Sequence, residues 1–246
     1  MIILRKTFFI ALLIGLVSVA VAGDLQVADS LGGAFQYDKA ITLYKQLVQA
    51  DSSDAGLLLK LGANLNNYAE LQPESDQLKL YEEAYQVLKK SESIDSSNAE
   101  IHFQIARTQG RVALYKGIWN SIGLAKEVKR EAETALVINP QHDGAMHILG
   151  RWHREASNKP QIIRAPLGLG AANKADAVRY LDKAVELRPD YISHHLELGK
   201  TYISIDKYPE ARNQLFTAIL LKVQRPIDER YIEEAKKLLK EIEGKS

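Results

Sequence analysis

The stretch ALVINPQHDGAMHILGRWHREASNKPQIIRAPLGLGAANKADAVRYLDKAVELRP, Ala135 to Pro189, decides the fold. It opens on the end of a helix, Ala135-Leu136-Val137-Ile138-Asn139-Pro140. In the next segment Met146, Leu149, Gly150 and His153 recur at three- and four-residue spacing and so share one helical face. A loop containing glycine and proline follows. Then Ala177, Leu181 and Ala184 mark a third helix, closed by Leu187-Arg188-Pro189.

That phrase recurs through the chain. Ser52, Ser96, Pro140 and Pro189 occupy equivalent places, at steps of 44, 44 and 49 residues, and the small residues Gly62, Ala106, Gly150 and Gly199 repeat those steps. In the second helix of each unit the marker is Ala40, Ala84, Val128, Ala177 and Ala211; its last step, 34 residues, is the length of an ordinary tetratricopeptide repeat. The pattern predicts an all-α chain: a tetratricopeptide-like, right-handed superhelical solenoid of helical hairpins. Extra residues at 66–76, 114–124 and 157–174 lie between the two helices of their units. Leu198, Gly199 and Tyr202 face Ala211, Leu215 and Ala218 in the last hairpin, where Asp206 is expected as N-cap and Pro209 in the first turn. From Pro226 to about Glu243, Tyr231, Ala235, Leu238, Leu239 and Ile242 form one apolar stripe opposite a charged face, which predicts a C-terminal capping helix. The small residues predict close crossings, because two helices approach closely only where one lacks a bulky side chain.

The run His147-Ile148-Leu149-Gly150-Arg151-Trp152-His153-Arg154, preceded by Ile138-Asn139-Pro140 and followed by an insertion, resembles the regulator of microtubule dynamics family, over about Ala99 to Ile242. The resemblance implies an elongated tetratricopeptide fold and a binding scaffold.

Residues 1–22 are of another kind. Arg5 and Lys6 precede the almost wholly apolar run 7–19, and Ala20-Val21-Ala22 offers a cleavage site before Gly23, the pattern of a secretory signal. The expected division is therefore a signal peptide at 1–22, a repeat array at 23–225 and the cap at 226–246. Retained, the first segment would be an N-terminal anchor; otherwise no membrane contact is expected. Cleavage removes two positive charges from a formal net charge of +1, leaving −1. So balanced a chain gives no reason to expect nucleic acid as partner. It contains no cysteine, which excludes disulfides, thiolate metal sites and a cysteine nucleophile. For an exported protein that composition suits the periplasm, and no microtubule binding is expected there.

Candidate binding residues follow from the stacking of first helices along a concave face. One position beyond each small residue stand Ala63, Arg107, Arg151 and Lys200; Arg111 and Arg154 lie one turn further on and His147 one turn before. Such a row would grip a carboxylate on an acidic protein or peptide, since guanidinium presents a planar fork of donors. The competing reading is a solvated face paired internally to Glu100 or Glu155. Trp152 reads as packing, whereas Trp119, in an inserted segment beside Tyr115, is a candidate exposed contact. No metal site is expected: His194 and Glu197 lie three apart, yet no set of three or four ligands has recognisable spacing. Gly168-Leu169-Gly170 lacks the strand and Lys-Ser/Thr of a phosphate loop, and no nucleophile elbow occurs, so neither cofactor nor catalysis is expected. The expected function is an exported protein-interaction scaffold. A structural subunit of an envelope complex and a small-molecule-binding component of an uptake system are the alternatives.

Overall fold

A computed structural model describes residues 23–116 and 121–246. The expected signal segment and Trp119 lie outside the described residues. Helix α1 is seen over residues 23–33. It is followed by α2 (Tyr37–Ala50), α3 (Ala55–Leu71), α4 (Glu74–Ile94), α5 (Ala99–Tyr115), α6 (Ser121–Ile138), α7 (Asp143–Ser157), the single turn α8 (Gln161–Arg164), α9 (Lys174–Leu187), α10 (Ile192–Ile203), α11 (Tyr208–Leu220) and α12 (Asp228–Glu241). The pairs α3/α4, α5/α6, α7/α9 and α10/α11 are hairpins. Their first members α3, α5, α7 and α10 also touch in succession, which makes the array an all-helical solenoid.

The recurrent phrase is a helix-start device. Asp51 and Asp95 accept from the amides of Ser53 and Ser97 at 2.9 Å, and Asn139 accepts from that of Gln141 at 3.1 Å, which turns the chain. Three residues after each turn-former comes the N-cap. Asp54 accepts from Leu57 N, Asn98 from Glu100 N and His142 Nδ1 from Ala145 N, satisfying amides that have no partner within the helix.

Between the helices of each hairpin the small residues mark the crossings. A Cβ on Gly62 would stand 2.5 Å from Leu88 Cγ, and one on Gly199 would stand 2.8 Å from Leu215 Cδ2. Ala84, Ala177 and Ala211 are fully buried opposite. Trp152 is buried, its indole N–H donating to the Ala125 carbonyl at 2.8 Å. The extra residues of two units lengthen their helices, α3 to 17 residues and α4 to 21 in one, α5 to 17 and α6 to 18 in the next. In α7/α9 they form α8 and a loop.

Two boundaries differ from expectation. Lys207, not Asp206, precedes α11, although Pro209 does sit in its first turn. Asp206 is left-handed (φ 59°) and ends α10: its amide donates to Ile203 O and the Lys207 amide to Tyr202 O, and a short polar side chain tolerates that conformation. The last helix begins at Asp228 because Asp228 Oδ2 accepts from the amides of Gln224 and Arg225, holding 224–227 in a turn.

Candidate functional site

The cationic row is assembled by the stacked first helices, and two buried glutamates organise it. Glu70, on the last turn of α3, pairs with Arg107 Nη2 at 2.9 Å and with Arg111 Nη2 at 2.6 Å, both from α5. Arg107 also donates to Asn67 Oδ1 at 2.9 Å. Glu197, on α10, receives Arg154 Nη2 at 2.5 Å, Arg151 Nε at 3.5 Å and Lys200 Nζ at 3.2 Å. Arg154 is 4% exposed and donates in addition to the Glu197 carbonyl, so it ties α7 to α10. Arg107, Arg111, Arg151 and Lys200 remain partly open, with side chains 15–28% exposed.

Burial pushes the Glu70 carboxyl up, but Arg107 and Arg111 outweigh it and hold the group at about 2. Glu197 is likewise held well below its usual range against burial, by Arg151, Arg154 and Lys200. An ionised buried carboxylate needs this many partners, because desolvation of one charge costs several kcal/mol.

His147 meets a second histidine. Its Nδ1 lies 2.9 Å from His194 Nδ1, and His194 Nε2 lies 3.0 Å from Asp143 Oδ2. The carboxylate only accepts, so His194 Nε2 carries a hydrogen; neutral His194 then accepts at Nδ1 from His147 Nδ1–H. Burial lowers both rings, helped at His147 by His194 and Arg151; at His194 burial outweighs the opposing pull of Asp143.

The final helix also reaches this row. Tyr231 OH accepts from Arg111 Nη2 at 3.3 Å, Arg230 donates to the Glu70 carbonyl at 3.0 Å, and Glu234 pairs with Lys200 at 2.9 Å. Arg225 lies over the Tyr191 ring, 4.1 Å from its centroid, and bonds Asp228.

Among the described residues Glu92, His102 and Glu131 bring a ring nitrogen and two carboxylates within 4.8 Å, the kind of donor set that holds a hard or borderline cation. Lys89 and Arg130 already neutralise the outer oxygens, and His102 Nε2 is fixed on the Ser96 carbonyl. His195 repeats the arrangement in the last hairpin, with Nε2 on Pro189 O and Nδ1 on Gln214 Oε1, both 2.8 Å. This recurrence marks the two histidines as ties between a unit's leading turn and its second helix.

Glu70, Glu197, Arg225, Arg230, Tyr231 and Glu234 are members of the row that sequence reasoning did not assign to it. Of the two internal partners expected, Glu155 does bond Arg154 at 2.8 Å, whereas Glu100 bonds His142 and Gln104.

Stacked hairpins with a polar inner row define a helical-repeat scaffold of tetratricopeptide type. The fold is similar to that of a thermophilic TPR protein of Thermus thermophilus (TM-score 0.65, 18% identity, 89% of this chain and 99% of that one). It is also similar to pilF of Pseudomonas aeruginosa (TM-score 0.56, 15% identity, 93% and 94%). The chain belongs to the family Regulator of microtubule dynamics protein 1-3, which it matches over residues 24–243. Regulator of microtubule dynamics protein 1 of Mus musculus is 30% identical over 173 residues, 67% of this chain and 57% of the relative. Regulator of microtubule dynamics protein 3 of Bos taurus is 27% identical over 215 residues, 80% and 44%. The chain thus spans about half the length of the curated relatives it matches.

Proposed function

We propose that the chain is an exported, non-catalytic interaction scaffold that binds an acidic peptide or partner helix along the inner row. The observation that carries this reading is the charge of the row: Arg107, Arg111, Arg151, Arg154 and Lys200 converge on two buried carboxylates, Glu70 and Glu197, with the more exposed Glu155 and Glu234 at Arg154 and Lys200, so the cations still exceed the carboxylates by one. Four of the five cations keep exposed surface from which to meet a further anion. The apolar run 7–19 with Ala20-Val21-Ala22 supports export to the periplasm. The relatives' names describe regulation of microtubule dynamics; we do not extend that partner to a chain with an export signal that covers about half their length.

The test is crosslinking capture from native envelope extract with the chain from Gly23, beside an Arg107→Gln/Arg151→Gln variant, at 0.1 M and 1 M salt. Exposed charge pairs are screened beyond about 10 Å at 0.1 M salt. A partner held by the native chain, lost at high salt and lost with the folded variant, supports the row as the site. Capture indifferent to both changes sinks it. A structural-subunit reading is favoured by one observation, the exposed Phe216 and Leu220 on α11 with Val223 just beyond. Capture that survives in the arginine variant and fails on Phe216→Ser/Leu220→Ser would select it.

A further inference from the structure

Helix α12 is attached in two chemically different ways. Its apolar side, the Tyr231 ring with Ile232, Ala235, Leu238 and Leu239, and Ile242 just beyond it, packs on the last hairpin with Ala211, Leu215 and Ala218. Its first turns also carry polar groups that reach elsewhere. Arg230, Tyr231 and Glu234 reach Glu70, Arg111 and Lys200, which belong to three different first helices. Just before the helix, Arg225, Pro226 and Ile227 line a narrow crevice whose other wall is Tyr37, Asn67, Glu70 and Leu71. The end of the chain therefore crosses the inner side of the solenoid and returns to its beginning.

The apolar attachment serves as an end cap. The polar attachment has no such need, because a capping helix must cover only the last hairpin. What it does is bring acceptors to two of the row's five cations. Tyr231 and Glu234 stand three residues apart and so share one helical face. That face offers a hydroxyl to Arg111 and a carboxylate to Lys200, while Arg230 supplies a donor to the free carbonyl near the end of α3. Acceptors brought to a predominantly cationic row are the chemistry a bound helix would need, and the contacts are hydrogen bonds and one partly exposed ion pair, which exchange readily with equivalent groups.

We infer that the inner row is a docking surface for an α-helix presenting tyrosine and glutamate at i and i+3, and that α12 is the chain's own competing occupant. The inference rests on the inner row being the binding face. A partner helix arrives by replacing the contacts of the Tyr231 hydroxyl and the Glu234 carboxylate while the apolar side of α12, the Tyr231 ring included, stays on the last hairpin.

The probe is a fluorescent synthetic peptide of residues 225–246, titrated by anisotropy into the full chain from Gly23. It is compared with the chain carrying Arg230→Ala/Tyr231→Phe/Glu234→Gln, and with a control peptide carrying Tyr231→Phe and Glu234→Gln. Should the triple variant not fold, Tyr231→Phe alone replaces it, since that change removes only a hydroxyl. The expected result is native-sequence peptide binding at least about tenfold tighter to the variant chain than to the native chain, a difference of about 1.4 kcal/mol. The control peptide should bind the variant at least about tenfold more weakly. Equal affinity for the two chains, or for the two peptides, overturns the inference and leaves α12 an end cap only. Failure of the peptide comparison alone leaves arginine-dependent capture of an envelope partner intact. Failure of capture with a discriminating peptide sinks the proposed function while α12 remains a displaceable occupant.

Discussion

A Cβ on Gly150 would stand 2.5 Å from Leu181 Cγ and 3.1 Å from the Ala177 carbonyl oxygen, so α7 and α9 meet where residue 150 has no side chain. Two effects oppose each other in Gly150→Ala. Alanine is favoured over glycine within a helix by about 1 kcal/mol, whereas overpacking costs about 1–3 kcal/mol. The leucine can turn aside but the backbone carbonyl cannot, so the net change is destabilising. At Gly199 the Ala211 carbonyl is 3.5 Å away. Gly199→Ala should therefore be closer to neutral. Urea midpoints of both variants check the order; a Gly150→Ala chain as stable as Gly199→Ala would refute the crossing argument.

These crossings were legible because a fixed spacing reports them: each glycine or alanine recurs with its unit, and so do the turn-former and N-cap three residues apart. The ionic row was legible only on one side. Local counting finds only partners within a turn or so of the same helix, such as Glu155 beside Arg154; Glu70 and Glu197 reach their arginines from other helices, 37 to 46 residues away along the chain. The second role of α12 left no periodic mark. Its apolar stripe accounts for the contact with α11, and nothing local says that Tyr231 spans 120 residues to Arg111.

Acid should weaken the fold partly through Glu70. A carboxyl held at about 2 in the folded chain, against an ordinary 4.5, contributes about 3 kcal/mol at neutral pH. Its folded value is depressed, so the stability is fully present above 4.5 and is lost as pH falls from there toward 2. Glu197 and Asp143 add to the same trend. The difference in unfolding free energy between the native chain and Glu70→Gln should therefore shrink as pH drops through this window. A difference constant from pH 6 to pH 3 would show that the arginines do not hold Glu70 ionised.

The histidine pair should act at higher pH. Both rings are depressed by burial, so an unfolded chain takes up protons near 6.5 while the folded chain does not, and stability falls as pH drops below 6.5. His147→Gln keeps a donor toward His194 Nδ1 and removes one titrating ring. Its stability should depend less on pH between 6.5 and 5 than that of the native chain. Histidine ring resonances give the direct check, and a His147 ring that titrates at 6.5 or above would contradict the buried neutral pair.

The inserted loop between α7 and α9 hangs on one side chain. Arg164 Nη1 donates to the carbonyls of Gly170 (3.2 Å) and Ala172, and more weakly to Leu169 at 3.4 Å, so a single guanidinium closes the segment after α8. Gly168 makes the turn possible with φ 74°, and Ile162 and Ile163 face outward beside it. Little apolar area depends on this closure, so Arg164→Ala should change global stability by no more than about 1 kcal/mol. Local opening is another matter, because loops opened by loss of their few ties are where proteases cut. Thermolysin, which cleaves beside leucine and isoleucine, should nick the Arg164→Ala chain within residues 158–173 several times faster than the native chain. Unchanged cleavage in the alanine variant would mean that the loop is held by its packing against α6 and α7 instead of by Arg164.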